Sequence, residues 1–494
     1  MTSNEAVFAA ADLGASSGRV ILGRLREGRF ELEEVARFAN GPVTLDGSLH
    51  WDANRLFAEI SAGFDEAIRR AGGSLASVGI DTWGVDYGRL DRAGDLLEQP
   101  FHYRDDRTHN VPERLFRLLP AETLYGSAGL QVQPFNTIFQ LVAASGDPLW
   151  SQVGALLLMP DLFGYWLTGR RVAEVTNAST TGLLDVSRRT WSKEICYSLA
   201  LQYGIPVPRV LPELVEPGTV LGSTRPGVLT AEIPVVAVGS HDTASAVVAV
   251  PTESRNFAYI SSGTWSLVGL ELDQPVLTEE SRAGNFTNEL GVDGTVRYLK
   301  NVMGLWVLSE CQRAWEADGR AVDLGGLLAA AAAEPGMACV VDINDERLLP
   351  PGDMPWRLMT LARETGQHLP DSPAAITRCI LDSLAIAYQD AIDQACRLAG
   401  RRIDVVHIVG GGSQNALLCQ LTADVTGLPV VAGPAEGTAL GNLLVQARAT
   451  GALSGDLMAL RRVAIASSTL VTYTPGVLSL DPTRLAEAGR LVHH

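Results

Sequence analysis

Two copies of one local pattern constrain the fold of this chain more than any other sequence feature. In the first copy, the apolar run Ala6–Leu13 leads into a turn of small residues, Gly14–Gly18, and a second apolar run begins at Val20. In the second copy, about 250 residues later, the same order fills Phe257–Leu270 around the turn Ser261–Thr264. Each copy predicts a β-hairpin with a polar, glycine-containing tip. The repeat indicates two related halves, although two unrelated hairpins would produce the same short pattern.

Behind the first hairpin, helix and strand patterns alternate. Asp52 is placed to cap a helix whose apolar positions recur every four residues over Leu56–Ile68. Gly72 and Gly73 end this helix, and the apolar segment Ser77–Ile80 predicts the next strand.

The second half shows the same alternation. A long helical pattern has Pro373 at its first position and is closed by Gly400. A strand over Val405–Val409, a glycine turn, a helix over about Ser413–Thr426 and a short strand at Val430 follow. Alternation of this kind in both halves predicts an α/β fold.

The domain organisation follows from length and from loop signals. A chain of 494 residues has room for two or three domains. The stretches Val215–Gly227 and Ala249–Glu253 contain Pro or Gly and are expected to be loops. We place the domain boundary near the second loop, which gives domains at residues 1–250 and 251–494.

The net charge of the chain disfavours some classes of binding partner. The chain has 39 Lys and Arg against 56 Asp and Glu, a formal net charge of −17, so partners such as nucleic acid or anionic membrane are not expected. An anionic substrate would need a local concentration of backbone N–H groups or a metal cation.

The cysteines and the N-terminus indicate a cytoplasmic protein. The six cysteines include no close pair, which disfavours a zinc site and fits a reducing compartment. The first residues lack a basic n-region, and Asp12 interrupts their apolar run, so no signal peptide or anchor is expected. The terminal His493 and His494 carry no weight in this interpretation.

Asp12 and the turn that follows it are the first candidate site. Successive N–H groups of small residues can face an anion, and a carboxylate at a strand end can hold a divalent cation. No Gly-Lys-Ser/Thr follows, so the turn is not a P-loop. An ordinary hairpin turn would look the same.

The second half offers matching candidates. The turn Ser261–Thr264 could contact phosphate, and Gly410, Gly411 and Gly412 before a helix would let a nucleotide lie against backbone. Tight packing of strand against helix is the alternative explanation for the three glycines.

Two clusters combine carboxylates with other ligand-binding groups. Asp81–Tyr87 mixes acids with aromatic residues, as a polyhydroxylated ligand requires. In His241–Thr243, Asp242 could be a general base for a substrate hydroxyl, or equally a helix cap.

Together, eight segments in this order resemble the FGGY sugar kinases, which belong to the superfamily of actin-like and ribonuclease-H-like ATPases. The segments are Asp12–Arg19, Gly79–Tyr87, Tyr103–Thr108, Met159–Gly169, His241–Val247, Ser261–Leu267, Leu299–Trp306 and His407–Asn415. The hairpin and glycine motifs are shared across that family, whereas DTWGVD, HDTASAV and LKNVMGLW are particular to its branch that acts on L-rhamnulose.

The resemblance implies two ribonuclease-H-like α/β domains around a central cleft, the first mainly for sugar and the second mainly for nucleotide. It implies phosphorylation of L-rhamnulose at its terminal hydroxyl by ATP and Mg²⁺, in L-rhamnose catabolism. The residues implied are Asp242 as the base, Asp12 for Mg²⁺, Ala15, Ser16, Ser17, Gly18, Arg19, Thr264, Gly411 and Gly412 for ATP, and Gly84, His241, Asp242, Thr243 and Asn301 for sugar.

One departure and two alternatives accompany this expectation. Ser309 stands where the family has a glutamine near the nucleotide, which puts one ATP contact in doubt. Another ketose, such as L-fuculose or xylulose, is an alternative substrate, because motifs do not measure a pocket. A catalytically silent sugar-binding protein is disfavoured because both Asp12 and Asp242 are present.

Overall fold

A computed structural model describes residues 5–320 and 322–476. The strands, in chain order, are β1 Ala6–Leu13, β2 Ser17–Arg26, β3 Arg29–Ala39, β4 Val43–Leu45, β5 Ser48–His50, β6 Ser77–Thr82, β7 Tyr87–Asp91, β8 Val153–Leu158, β9 Val172–Glu174, β10 Leu184–Asp185, β11 Thr190–Trp191, β12 Glu213–Val215, β13 Thr219–Ser223, β14 Pro234–Ala237, β15 Phe257–Ser262, β16 Trp265–Leu272, β17 Thr287–Leu290, β18 Val296–Met303, β19 Val405–Val409, β20 Val430–Ala432 and β21 Val471–Tyr473.

The α-helices, in the same order, are α1 Ala53–Arg70, α2 Val111–Phe116, α3 Ala121–Ala128, α4 Thr137–Ala143, α5 Met159–Thr168, α6 Val175–Ala178, α7 Lys193–Tyr203, α8 Val207–Val210, α9 Asp242–Val248, α10 Glu279–Ala283, α11 Trp306–Ala317, α12 Leu324–Ala333, α13 Met354–Glu364, α14 Pro373–Ala399, α15 Ala416–Thr426, α16 Gly437–Ala449 and α17 Leu457–Ser467. The terminal His493 and His494 lie outside the described residues.

The chain forms two compact units, and neither is continuous in sequence. Within the described residues, the first unit contains residues 5–253, Glu271–Tyr298 and Gly437–Ser467. The second contains Ser254–Leu270, Leu299–Glu436 and, to the end of the described part of the chain, residues 468–476. The chain first passes from the first unit to the second after Glu253, at the end of the expected loop Ala249–Glu253. Helices α16 and α17, far downstream, belong to the first unit again.

The first unit is built on a mixed sheet with strand order β13-β14-β6-β1-β2-β3. β1 pairs with β2 in the antiparallel direction, which is the predicted hairpin, and with β6 in the parallel direction. One core cluster packs α1, through residues such as Leu56, Ile60 and Phe64, against β1 and β2. A second cluster packs α16 and α17 against other residues of the same two strands, so helices cover the sheet on both faces.

The second unit repeats this plan. Its strands run in the order β18-β16-β15-β19-β20-β21, with β15 antiparallel to β16 and parallel to β19. The next pairs outward also agree: β6 with β14 and β19 with β20 are parallel, whereas β14 with β13 and β20 with β21 are antiparallel. The two units therefore share one topology, as the hairpin repeat predicts.

Local signals fix several element ends as expected. The Asp52 side chain accepts a hydrogen bond from the backbone N–H of Arg55 at 3.0 Å and caps α1. Gly400 has φ of 62° and ends α14 in the left-handed conformation that glycine adopts without strain.

Two local predictions are wrong. The stretch Val215–Gly227 is not only loop, because it contains β13, an edge strand with a register shift between Val220 and Gly222. The helix expected from Ser413 starts at Ala416, because Gly411–Gln414 forms a turn of 3₁₀ helix and the Asn415 side chain caps α15 through the N–H of Leu418.

All six cysteines are free thiols. None of the helices in residues 5–320 and 322–476 has both the length and the apolar character that a membrane span requires.

Candidate functional site

The ends of β1 and β6 place two carboxylates side by side in the first unit. In the parallel register of these strands, Asp12 is the partner of Asp81. The next residue, Thr82, forms a parallel bridge with His241, so Asp242 also comes to this edge of the sheet. Both Asp12 and Asp81 are buried. The fold thus brings three carboxyl groups to one edge of the sheet, which their separation in sequence does not reveal.

Two of the three acids, Asp81 and Asp242, have raised pKa values. Burial and then the neighbouring Asp12 charge raise the pKa of Asp81 well above its ordinary value, against a hydrogen bond from Asn442. Burial also raises the pKa of Asp242, with a contribution from Asp12, whereas His241 and the hydrogen bonds from Thr243 oppose the rise. Such perturbed neighbouring acids are typical of functional sites.

Asp12 is engaged by the arginine at the far side of the hairpin turn. Arg19 donates to Asp12 Oδ2 through Nε at 3.0 Å and through a terminal nitrogen at 2.8 Å. Two predicted site residues, one for metal and one for ATP, are therefore ion-paired with each other in this structure.

Hydrogen bonds from Asn40 hold the carbonyl groups of the first hairpin turn, and several residues of the turn are exposed to solvent. Asn40 donates to the carbonyl oxygens of Gly14 and Ser16, at 2.7 and 3.1 Å. Ala15 and Ser17 are partly exposed and Ser16 is exposed. Gly18 is buried, and a Cβ there would collide with the Phe38 ring. Packing of Phe38 thus accounts for the glycine at position 18.

Asp242 opens α9 but does not cap it. His241 is the N-cap residue and makes no side-chain capping bond, and Asp242 is the first helical residue. Its Oδ1 accepts from the backbone N–H of Thr243 at 2.6 Å and from the Thr243 hydroxyl at 3.2 Å. His241 Nε2 lies 3.4 Å from the same oxygen. The alternative that Asp242 is a helix cap is therefore wrong, and 31% of its side chain is exposed.

The segment Asp81–Tyr87 is mostly interior, so its acids and aromatics do not form the ligand surface that their composition indicates. Asp86 accepts hydrogen bonds from the indole N–H groups of Trp51 and Trp83, at 2.6 and 3.0 Å, and burial raises its pKa to about 6. Gly84 is the half-buried residue of the segment, with Thr180 about 3.0 Å from where a Cβ would stand.

Three buried charged residues that the sequence analysis did not single out surround His241. Glu174 accepts from the backbone N–H and the hydroxyl of Ser240, at 3.0 and 2.7 Å, and fixes the residue before His241. Glu289 and Arg297 contact the His241 ring itself. Nothing local in the sequence marks them, because they reach His241 only through tertiary folding.

In the second unit, the predicted nucleotide residues lie at the corresponding strand ends. The carbonyl oxygens of Gly263 and Thr264 accept from the N–H groups of Leu305 and Trp306, at 3.1 and 3.2 Å, so the turn is tied to the start of α11. Ser309 is exposed on this helix, and Asn301 is half-buried on β18.

The three glycines after β19 have different surroundings. Gly410 has φ of 82° and would place a Cβ 2.9 Å from the Ser262 carbonyl oxygen. A Cβ at Gly412 would collide with the Ser262 hydroxyl, whereas Gly411 is exposed with open space beside it. Tight packing thus explains why positions 410 and 412 are glycine, whereas the open space beside Gly411 leaves room for a ligand.

Comparisons with known proteins agree with this architecture. Models of the FGGY family of carbohydrate kinases match the chain twice, the N-terminal domain over residues 7–249 and the C-terminal domain over residues 258–450. The gluconate kinase from Lactobacillus acidophilus has a similar structure, with a TM-score of 0.78, 15% identity, and coverage of 99% of this chain and 96% of that chain. This likeness shows the fold.

Sequence relatives match along nearly the whole length. The rhamnulokinase of Bacteroides thetaiotaomicron is 41% identical over 478 residues, 95% of this chain and 96% of the relative. The rhamnulokinase of Pectobacterium carotovorum is 45% identical over 473 residues, 94% of this chain and 92% of the relative.

The chain belongs to the FGGY family of carbohydrate kinases. The resemblance seen in the sequence and the expected two-domain α/β, actin-like fold are confirmed. The chain is therefore a phosphotransferase with a sugar hydroxyl as acceptor, and its phosphoryl donor is ATP.

Proposed function

We propose that this kinase phosphorylates L-rhamnulose at its terminal hydroxyl and releases L-rhamnulose 1-phosphate and ADP, as a step of L-rhamnose catabolism. The observation that carries the proposal is the match to relatives named rhamnulokinase, at 41 and 45% identity along almost the entire chain. The site geometry supports a specific role for each group.

Asp242 is the proposed base. Its Oδ1 accepts hydrogen bonds from the backbone N–H and the hydroxyl of Thr243 and faces His241 Nε2. Among the described residues, no hydrogen bond to its Oδ2 is found. A carboxylate with one free oxygen can accept the proton of a substrate hydroxyl. The hydroxyl oxygen then attacks the γ-phosphorus of ATP, and ADP leaves. The raised pKa of Asp242 makes it a stronger base than an exposed aspartate.

The sugar contacts are proposed at Gly84, His241, Thr243 and Asn301, together with Asp242. Gly84 follows β6, and His241 is bridged to the end of the same strand, so these two positions share one sheet edge. On this proposal residues 1–250 bind mainly the sugar.

The ATP contacts are proposed at the two hairpin turns and after β19. In the first unit they are Ala15, Ser16, Ser17, Gly18 and Arg19, and in the second Thr264, Gly411 and Gly412. Turn N–H groups can stabilise charge on phosphoryl oxygens. The exposure of Ser16 and Gly411 supports this role most directly. Residues 251–494 would thus bind mainly the nucleotide.

Carbohydrate kinases use ATP with a divalent cation, and the acids at the ends of β1 and β6 fit one. Asp12 and Asp81 are adjacent in register, and Asp81 Oδ1 is buried without a hydrogen-bond partner. Carboxylate oxygens are the ligands that Mg²⁺ prefers. Asp12 is the residue proposed to hold the ion, directly or through water, and the ion would neutralise charge on the phosphate oxygens.

A panel of ketoses tests the substrate. L-rhamnulose, L-fuculose, D-xylulose and L-xylulose are each incubated with ATP and Mg²⁺, ADP release is measured, and the phosphorylated carbon is identified by ³¹P and ¹³C NMR. We expect the highest kcat/KM for L-rhamnulose and phosphate on its C1. A higher kcat/KM for another ketose would overturn the substrate, and no sugar-dependent ADP release with any sugar would contradict the proposed catalysis.

A further inference from the structure

Two buried charges lie against the His241 ring in the first unit. Arg297 on β18 is fully buried, and Glu289 on β17 is 4% exposed. Burial of ions is unfavourable unless they are paired, and even a paired buried ion is weak evidence for a role in stability. Stability alone therefore does not explain this pair, and the group that both of its members contact is His241.

The pair and His241 form a close cluster. Glu289 Oε2 lies 2.9 Å from an Arg297 terminal nitrogen and 3.0 Å from His241 Nδ1. Both terminal nitrogens of Arg297 lie 3.2 Å from His241 Nδ1. The carbonyl of Leu290 accepts from Arg297 as well, at 3.1 and 3.2 Å, and holds the guanidinium in place.

On its other side, the ring faces the proposed base. His241 Nε2 lies 3.4 Å from Asp242 Oδ1. The charged groups around the ring are thus Asp242 at Nε2, and Glu289 and Arg297 at Nδ1.

Donor and acceptor chemistry then fixes the proton on Nε2. Arginine can only donate, and an ionised carboxylate can only accept. In neutral His241, Nδ1 without a proton accepts from Arg297, which leaves the proton on Nε2. The other neutral tautomer would direct Nδ1–H at Glu289, but it would leave Arg297 without this acceptor and bare Nε2 facing the Asp242 carboxylate, which can only accept. In protonated His241, Nδ1–H lies beside the Glu289 carboxylate, whose Oε2 is 3.0 Å from Nδ1, and Nε2 again carries a proton. The pair supplies a partner for Nδ1 in both states, and in both states Nε2–H points toward Asp242.

We propose that Arg297, held by Glu289, is a positioning residue that keeps the Nε2–H of His241 directed at Asp242 Oδ1, so that Oδ2 is left to accept the substrate proton. The hydrogen bond at one ring nitrogen generally determines which tautomer a histidine adopts. This inference rests on the proposed function, because it takes Asp242 as the base.

The first test needs no substitution. Protein labelled with ¹⁵N in its eight histidines is studied by NMR, and the His241 signals are assigned by their loss in His241→Gln. We expect a protonated Nε2 in the wild-type protein. A bare Nε2 with a protonated Nδ1 would overturn the proposal.

The second test removes the pair without leaving a charge unpaired. In the double variant Glu289→Leu and Arg297→Met, both groups become apolar, a change that buried ion pairs often tolerate. We expect retained melting temperature, loss of the Nε2–H preference, and a kcat for L-rhamnulose lower by about 10- to 100-fold, as for other residues that orient a catalytic histidine.

Matched variants separate positioning from general stability. Arg461 pairs with Glu271 at 2.8 Å and is 2% exposed, so Arg461→Met with Glu271→Leu removes a comparable buried pair that does not contact His241. This control is expected to keep kcat and the tautomer. Arg297→Lys keeps a donor and is expected to recover the Nε2–H tautomer and part of the rate.

The outcomes distinguish this inference from the proposed function. A folded double variant with wild-type kcat and tautomer would overturn the positioning role while the proposed function stands. Equal losses of kcat in the Arg461 control would also overturn it. If the wild-type protein released no ADP with any sugar, the proposed function would fail, and the NMR signals would still show whether Arg297 fixes the tautomer.

Discussion

The two units use one topology for different chemistry at the same sheet edge. In each, a central strand forms a hairpin with one neighbour and pairs in parallel with the other. At equivalent register positions, the first unit has Asp12 beside Asp81, and the second has Ser261 beside Val409. The first edge is therefore charged and the second is neutral and rich in glycine. The comparison teaches that two edges of the same topology differ through their strand-end side chains, on which the different roles proposed for them rest.

The largest expected effect comes from the acid edge. Asp242→Asn keeps the side-chain shape but removes the proton acceptor, so sugar-dependent ADP release is expected to fall by about 10²- to 10⁴-fold. Thermal unfolding of the same preparation should be close to wild type, because Asp242 is not a helix cap. Asp95→Asn, at an exposed turn, is the control. Near-normal turnover of Asp242→Asn would contradict its role as base.

A smaller loss of activity is expected from a substitution at Asp12, the strand position that corresponds to Ser261 in the second unit. Asp12→Asn removes the charge proposed to hold Mg²⁺, and we expect turnover at fixed Mg²⁺ to fall by about 10- to 100-fold, with partial recovery at higher Mg²⁺. Sugar affinity, measured by calorimetry, should change much less.

Ser261→Ala at the matching position of the second unit is expected to leave the Mg²⁺ dependence unchanged. If Ser261→Ala and Asp12→Asn altered that dependence equally, the two edges would not differ as the comparison requires.

The glycines after β19 sharpen the comparison within the second unit. Gly412→Ala places a Cβ against the Ser262 hydroxyl and is expected to destabilise the fold by about 1–3 kcal/mol, as overpacking does. Gly411→Ala meets open space, so we expect an unchanged melting temperature and a higher KM for ATP. The opposite assignment of the stability and KM effects would show that Gly411 is the structural glycine.

The smallest expected effect is a shift in pH dependence. Burial and the Asp12 charge raise the pKa of Asp242, and the base works only when ionised, so kcat should fall as pH drops through a pKa above that of exposed aspartate. Asp12→Asn removes one cause of the rise and should move this acid limb to lower pH. A limb that stays in place, in rates measured at saturating Mg²⁺ and sugar, would mean that the two acids do not interact.

The sequence could predict features whose cause is local. The hairpin strands, the cap at Asp52 and the end of α14 at Gly400 were predictable because alternation, a capping oxygen and a left-handed glycine act within a few residues. The motifs also identified the family.

Edge and junction details were less predictable. The Pro and Gly residues around β13 predict a loop. An edge strand with a register shift also accommodates these residues, so the prediction failed there.

Only the tertiary structure determines the contacts between groups that are distant in sequence. The burial of Asp86 against Trp51, the return of α16 to hydrogen bond Asp81 through Asn442, and the contact of Arg297 with His241 all depend on which surfaces pack together. Packing and desolvation act between whole elements, so a residue's neighbours, and hence its pKa and tautomer, are set after the chain has folded. The sequence by itself determined the family and the candidate acids. The fold determined which of them meet at one sheet edge, as Asp12 and Asp81 do, and which are held in the core, as Asp86 is.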